Sequence, residues 1–199
     1  RNNDRNELNS EIHNRLVEKG TLKNECLLTS VNQYGIETSN PYAIGEKVIF
    51  TKNDYKLKDT NGETVGIKNG QLGKIINING PKVTVQTNTN QNVIFDTREY
   101  KHFDYGYAMT TFKAQGITVD NALIVHDSTQ KSSNTRNKIY VDVSRAKKSV
   151  KIFTDDKETL VKQAKRFQQK ITSSTFTPYI AKSKERKTIH VSKEKSKEI

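Results

Sequence analysis

From Glu46 to Phe95 the chain repeats one pattern, a short run of β-branched and apolar residues followed by a break. The runs are "KVIF", "KIINI", "KVTVQT" and "NVIF", and the breaks fall at Asn61-Gly62, Asn69-Gly70 and Asn79-Gly80-Pro81. Runs this short, punctuated by Asn-Gly, predict a small antiparallel barrel or meander. The flanking segments have another texture. Upstream, Asp4 and Glu7 form a capping-box pattern, and Leu8, Ile12 and Leu16 recur every fourth residue until Gly20, which predicts a short helix with that face buried. Downstream, "NALIVH" (Asn121 to His126) and "SVKIFT" (Ser149 to Thr154) predict buried strands of an α/β sheet. Asp155 and Glu158 then open a capped helix whose apolar face carries Leu160, Ala164, Phe167 and Ile171. The order of elements predicts an α/β core interrupted by a β module.

Composition narrows the partners. A hydrophobic content of 32% over 199 residues is low for one compact globule, so part of the chain is expected to be tail or linker. The segment from Ser173 onward alternates Lys, Ser and Glu and fits a disordered tail, whose lysines either hold nucleic acid loosely or are solvating charge. A net charge of +12 favours an anionic partner, nucleic acid ahead of an acidic membrane surface. The single cysteine, Cys26, and four scattered histidines offer no structural metal site. No apolar run approaches the roughly 18 residues of a membrane span, and "RNNDRNELNS" lacks the apolar core of a signal peptide, so a cytoplasmic location is expected. A chain that begins at Arg1 and enters a helix pattern almost at once is expected to be part of something longer.

Phosphate chemistry is signalled in only two places. There is no G-x-x-x-x-G-K-[ST] loop, since "GQLGKI" has the wrong spacing, and no nucleophile elbow or carboxylate pair stands in a motif. In "YAMTTFKAQGITVD", a strand ending at Thr110-Thr111 is expected to deliver Lys113, Gln115 and Gly116 into a turn where ammonium, amide and backbone N–H groups meet phosphate oxygens. The competing reading is a polar turn with a solvated lysine. In "IYVDVSRAKKSVKIF", Arg145 could stabilise charge on a transferring phosphoryl group, or it could simply pair with solvent on a basic surface.

Taken in order, the two segments resemble motifs V and VI of superfamily 1 helicases, usually close to Tyr-Ala-x-Thr-x-His-Lys-x-Gln-Gly-x-Thr and Tyr-Val-Ala-x-Ser-Arg-Ala. "NNDRNELNSEIHNRL" resembles the motif IV region, and "GEKVIFTKNDYKLK" with "GIKNGQLGKI" resembles the SH3-like insertion of the RecD-type branch. The wording is closest to the helicase part of conjugative relaxases of the TraA/TraI type. Phe112 stands where the family usually has histidine, removing a polar contact, and Asp142 stands for alanine, a change expected to be tolerated at a helix surface. Periodicity alone would make Ile139 to Val143 a strand, whereas the resemblance implies a helix.

The resemblance implies a RecA-like second motor domain over 1–24 and 105–172, an SH3-like insertion over 25–104 and a tail over 173–199. It implies that the Walker elements lie in an upstream RecA-like domain, and that the intact enzyme uses ATP and Mg²⁺ while this chain alone is inactive. Arg145 would be the arginine finger, and Gln115, Gly116 and, more weakly, Arg5 would face the nucleotide. Thr110, Thr111 and Lys113, with Lys52, Asn53 and Tyr55 of the insertion, would contact single-stranded DNA. Tyr55 has an alternative as a packing residue. A RecD-like repair helicase and a non-catalytic nucleic-acid-binding module are the alternatives to a conjugative motor.

Overall fold

The computed structural model describes residues 2–31, 35–130 and 134–166, in two compact units that divide between Ile117 and Thr118. The expected tail, and Phe167 and Ile171, lie outside the described residues.

The first unit holds α1 (Asn2–Glu18) and seven strands: β1 (Lys23–Val31), β2 (Glu37–Ile44), β3 (Lys47–Phe50), β4 (Leu72–Asn79), β5 (Lys82–Thr87), β6 (Asn92–Asp96) and β7 (Phe103–Tyr105). The four runs read from the sequence are β3 to β6, and the Asn-Gly breaks fall in turns between them. They form an antiparallel sheet in the order β6-β5-β4-β3-β7, with Val83 opposite Phe95, Ile75 opposite Val85 and Val48 opposite Tyr105. Alternation in β6 sends Val93 and Phe95 inward, where Phe95 meets Phe50, Tyr100 and Phe103. The β1–β2 hairpin was not legible in the sequence, because its strands are largely polar and β2 contains Pro41, a residue that usually demotes a run from strand. It joins the core through Tyr42, whose ring packs on Phe103 and Tyr105.

The face of α1 corrects the sequence reading. Leu8 is 42% exposed, and Ile12 and Leu16 are only partly covered; the buried positions are Arg5, Asn9 and His13, again four residues apart. Polar groups can be buried this way because each finds a partner. Arg5 pairs with Asp104 at 3.0 Å. Asn9 donates to the Ala108 carbonyl at 3.1 Å and accepts from the Ala108 N–H at 2.7 Å. His13 Nδ1 lies 2.7 Å from Glu46 Oε2.

The second unit contains β8 (Val119–His126), α2 (Arg136–Val143), β9 (Ala146–Thr154) and α3 (Lys157–Ala164). β8 and β9 pair in parallel, with Leu123 opposite Lys151 and Ile124 opposite Ile152. The strands were expected to be buried, yet Leu123 is 72% exposed, and Val125, Ile152 and Phe153 are exposed as well. Parallel strands are apolar because they are normally covered on both faces, and among the described residues this pair lacks that cover. The motif VI segment is helical, as the resemblance implied and the bare periodicity did not. Asp156, not Asp155, caps α3 by accepting from the Thr159 N–H at 2.9 Å. Asp155 instead accepts from the N–H and hydroxyl of Ser128 at 2.8 and 2.6 Å.

Candidate nucleic-acid and nucleotide sites

The stretch from Tyr107 to Asp120 begins where β7 ends. Gly106 allows that exit, since a Cβ there would lie 2.9 Å from the Val48 backbone. Tyr107 then donates to Glu46 Oε1 at 2.6 Å, so the carboxylate that meets His13 also holds the start of this stretch. Burial raises the Glu46 pKa above the usual carboxylate range, against the lowering effect of the hydrogen bonds from Tyr107 and His13. The strand stops at Tyr105, not at Thr110 as expected, and residues 111–116 form consecutive turns. The Ala114 N–H donates to the Thr110 carbonyl at 3.0 Å, and Gly116 has φ +84°, a left-handed conformation in which glycine carries no Cβ penalty. The turn itself is as the sequence reading had it.

This turned segment forms one wall of a cleft of about 810 Å³ in the first unit, contributing Phe112, Lys113, Gln115, Gly116 and Ile117. The opposite walls are the loop 66–71 and the turn 88–91, with Lys68, Asn69, Gln71, Asn88, Thr89 and Gln91. Of the insertion residues named from the sequence, Asn53 and Tyr55 stand against the 66–71 loop. Asn53 Oδ1 accepts from the Asn69 N–H at 2.7 Å, and the Tyr55 ring lies against Gly66, where a Cβ would meet it at 3.0 Å. Tyr55 nevertheless stays 62% exposed, so it packs on one face and leaves the other open. Lys52 is exposed, with its carbonyl accepting from the Tyr100 hydroxyl at 3.0 Å. Thr110 and Thr111 are partly covered and are not among the lining residues.

Lys113 is half-buried, and its pKa is lowered, first by loss of solvent and then by Arg5, with Asp104 opposing. An anion beside Lys113 would favour the charged ammonium and so oppose both effects. Arg5, expected more weakly as a nucleotide contact, sits in its ion pair with Asp104. The division of the segment into a nucleotide side (Gln115, Gly116) and a DNA side (Lys113) is not visible in this unit, because all three line the same cleft. Asn69-Gly70 was read from the sequence only as a chain break, and the amide-bearing turn at 88–91 was not named at all. The signal for the 88–91 turn was the run "TNTNQN", which a turn alone does not require.

Arg145 belongs to the second unit, at the junction where α2 ends and β9 begins. Its carbonyl accepts from the Val119 N–H at 2.9 Å, which ties the junction to the start of β8. The guanidinium folds back, with Nε donating to the Val141 carbonyl at 3.2 Å and Nη2 to the Ser144 hydroxyl at 3.2 Å. An arginine there satisfies a carbonyl at the helix C-terminus, where positive charge is favoured. Asp142 is buried, contrary to the surface position expected for it. Its Oδ2 lies 3.6 Å from His126 Nε2, while His126 Nδ1 meets Asn134 Oδ1 at 3.0 Å, so the carboxylate faces a buried imidazole. Among the described residues, no cluster of three or more metal-ligating side chains occurs and no helix is long and apolar enough to cross a membrane.

Residues 24–154 match the viral superfamily 1 RNA helicase core domain, and the chain belongs to that family. Within the superfamily it is related to RecD-type and TraA proteins. It is 25% identical over 149 residues to the conjugal transfer protein TraA of Rhizobium radiobacter, covering 73% of this chain and 12% of that protein. It is 29% identical over 112 residues to the RecBCD enzyme subunit RecD of Mycobacterium tuberculosis, covering 56% of this chain and 18% of that one. The matched stretches therefore span less than a fifth of the length of these relatives. A Pif1 helicase from Bacteroides, in complex with ADP-AlF3 and single-stranded DNA, aligns with a TM-score of 0.49 at 16% identity over 91% of this chain and 44% of that chain.

Proposed function

We propose that this chain is the second RecA-like motor segment of an ATP-dependent DNA helicase that serves conjugative transfer. The observation that carries the reading is the family match, which runs through the β insertion and both phosphate-related segments in one stretch. In this reading the five-stranded sheet is an SH3-like insertion over 25–104, set within a RecA-like domain over 1–24 and 105–172 and followed by a tail over 173–199. An upstream RecA-like domain of the same cytoplasmic polypeptide supplies the phosphate loop and most contacts to ATP and Mg²⁺.

Arg145 is the arginine finger. To act, its guanidinium leaves the Val141 carbonyl and reaches the γ-phosphate, a contact that stabilises charge spread over the equatorial oxygens. Gln115 and Gly116 face the nucleotide, while Thr110, Thr111, Lys113, Lys52, Asn53 and Tyr55 hold single-stranded DNA through its backbone and base faces. A nucleotide role for Arg5 requires it to exchange Asp104 for phosphate. The second reading, a RecD-like repair helicase, is favoured by the higher identity to RecD over the shorter span.

The test uses the intact polypeptide that carries this segment. Arg145→Ala is expected to lower single-strand-stimulated ATPase by a factor of roughly 10³ or more, with strand affinity in the absence of nucleotide unchanged. Equal ATPase rates would sink the finger assignment.

A further inference from the structure

Phe112 is the most exposed large hydrophobic side chain among the described residues, at 78%, and it stands on the wall of the cleft. A bare aromatic ring on a wet surface leaves apolar area in water unless a ligand covers it. Around it the cleft is chemically uneven. Its lining has two cations, Lys68 and Lys113, five carboxamides and no carboxylate. Two of the carboxamides are already oriented: Gln71 Oε1 accepts from the Lys68 N–H at 3.0 Å, and Gln91 Oε1 accepts from the Thr89 hydroxyl at 3.3 Å. Those bonds use the oxygens and leave each Nε2 without a partner among the described residues. An N–H donor fixed by its own carbonyl suits the acceptor edge of a base.

We propose that Phe112 is the stacking platform of a subsite that takes one unstacked nucleobase, with the Gln71 and Gln91 amides at its edge and Lys68 and Lys113 at the adjoining phosphates. The proposal rests on the reading of the chain as a single-strand-binding helicase segment and deepens it. The difference from histidine at this position is then a change of contact, from a polar one to a π face. An aromatic ring and a phosphate-binding ammonium recognise features common to DNA and RNA, so the strand type is left to the experiment.

The full 199-residue chain is titrated at low salt with fluorescent oligo-dT, with oligo-U and with an all-abasic DNA of equal length. Phe112→Ala is expected to weaken binding to at least one base-bearing strand about tenfold, and to leave the abasic strand unaffected. Whichever strand shows the loss is the one the subsite takes. Phe112→Trp supplies a second readout, because the chain has no tryptophan of its own: its fluorescence is expected to be quenched by the base-bearing strand and not by the abasic one. Salt-sensitive binding that ignores both Phe112→Ala and the missing bases would overturn the subsite and leave the single-strand reading standing. Absence of binding to every strand would overturn both.

Discussion

The two units use similar residue types to opposite ends. In the first, Phe50 is fully buried and touches Phe95 and Tyr100, and apolar strand residues close on one another within an antiparallel sheet whose β4-β5-β6 part is joined by short turns. In the second, an equally apolar pair of strands leaves Leu123, Val125 and Phe153 in contact with solvent. The cause is the direction of pairing. Antiparallel strands joined by tight turns can bury one face with local chain alone, whereas a parallel pair needs cover on both faces from elements distant in sequence. Apolar content in a strand therefore signals that cover is required, not that the neighbouring residues supply it.

Paired truncations put the largest numbers on this contrast. Phe50→Ala is expected to cost the first unit about 3–5 kcal/mol, and Leu123→Ala to cost the second less than about 0.5 kcal/mol, both read from chemical denaturation of the full chain. A comparable loss at Leu123 would mean that the face is covered in solution, and the contrast between the units would fail. In an intact polypeptide that completes the sheet, the same Leu123→Ala change is expected to become costly.

Two buried histidines, His13 and His126, sharpen the comparison at smaller scale. His13 is in close contact with Glu46, and Ala43 and Tyr107 also donate to that carboxylate; Asp142 stands at 3.6 Å from a His126 nitrogen that has no hydrogen-bond partner. His13→Ala is expected to cost about 1–3 kcal/mol, by leaving a fully buried carboxylate short of a partner, and Asp142→Ala to cost less. If Asp142→Ala, which installs the alanine usual in this motif, costs as much or more, the longer pair is the tighter coupled one.

The smallest expected effect is one of pH. Hydrogen bonds from Ser128 hold Asp155 at a pKa of about 2, below its ordinary 3.8. A lowered carboxylate contributes stability that is present above 3.8 and lost as pH falls through about 2, so Asp155→Asn should weaken the second unit near neutrality and make no difference at the acid end. Glu46 has the opposite sign: with its pKa raised above 4.5, its contribution is fully present below 4.5 and declines as pH rises through the native value. Acid titrations followed by residue-resolved NMR would separate the two, and parallel behaviour at Asp155 and Glu46 would contradict both assignments.

Strands β3 to β6, the parallel pair and the turn at Gly116 were legible in the sequence because β-branched runs and Asn-Gly or glycine breaks state their backbone preference locally. The buried face of α1 was not. Leu8, Ile12 and Leu16 advertise a stripe by periodicity, yet the stripe the unit buries is Arg5, Asn9 and His13, which only Asp104, Ala108 and Glu46, some 33 to 99 residues away, make tolerable. Polar burial is legible only when both partners are known. The cleft was half legible for the same reason: Lys113 could be named from its motif, but the amides of the 66–71 loop and the 88–91 turn become a wall only after folding.

Asn9 has one more consequence. Its carboxamide donates to and accepts from the same residue, Ala108, copying with a side chain the two-bond exchange that a neighbouring strand makes. Ala108 lies just past β7, one of the two edge strands of the five-stranded sheet. A strand from another molecule that ran past that edge would find the Ala108 donor and acceptor already taken by α1.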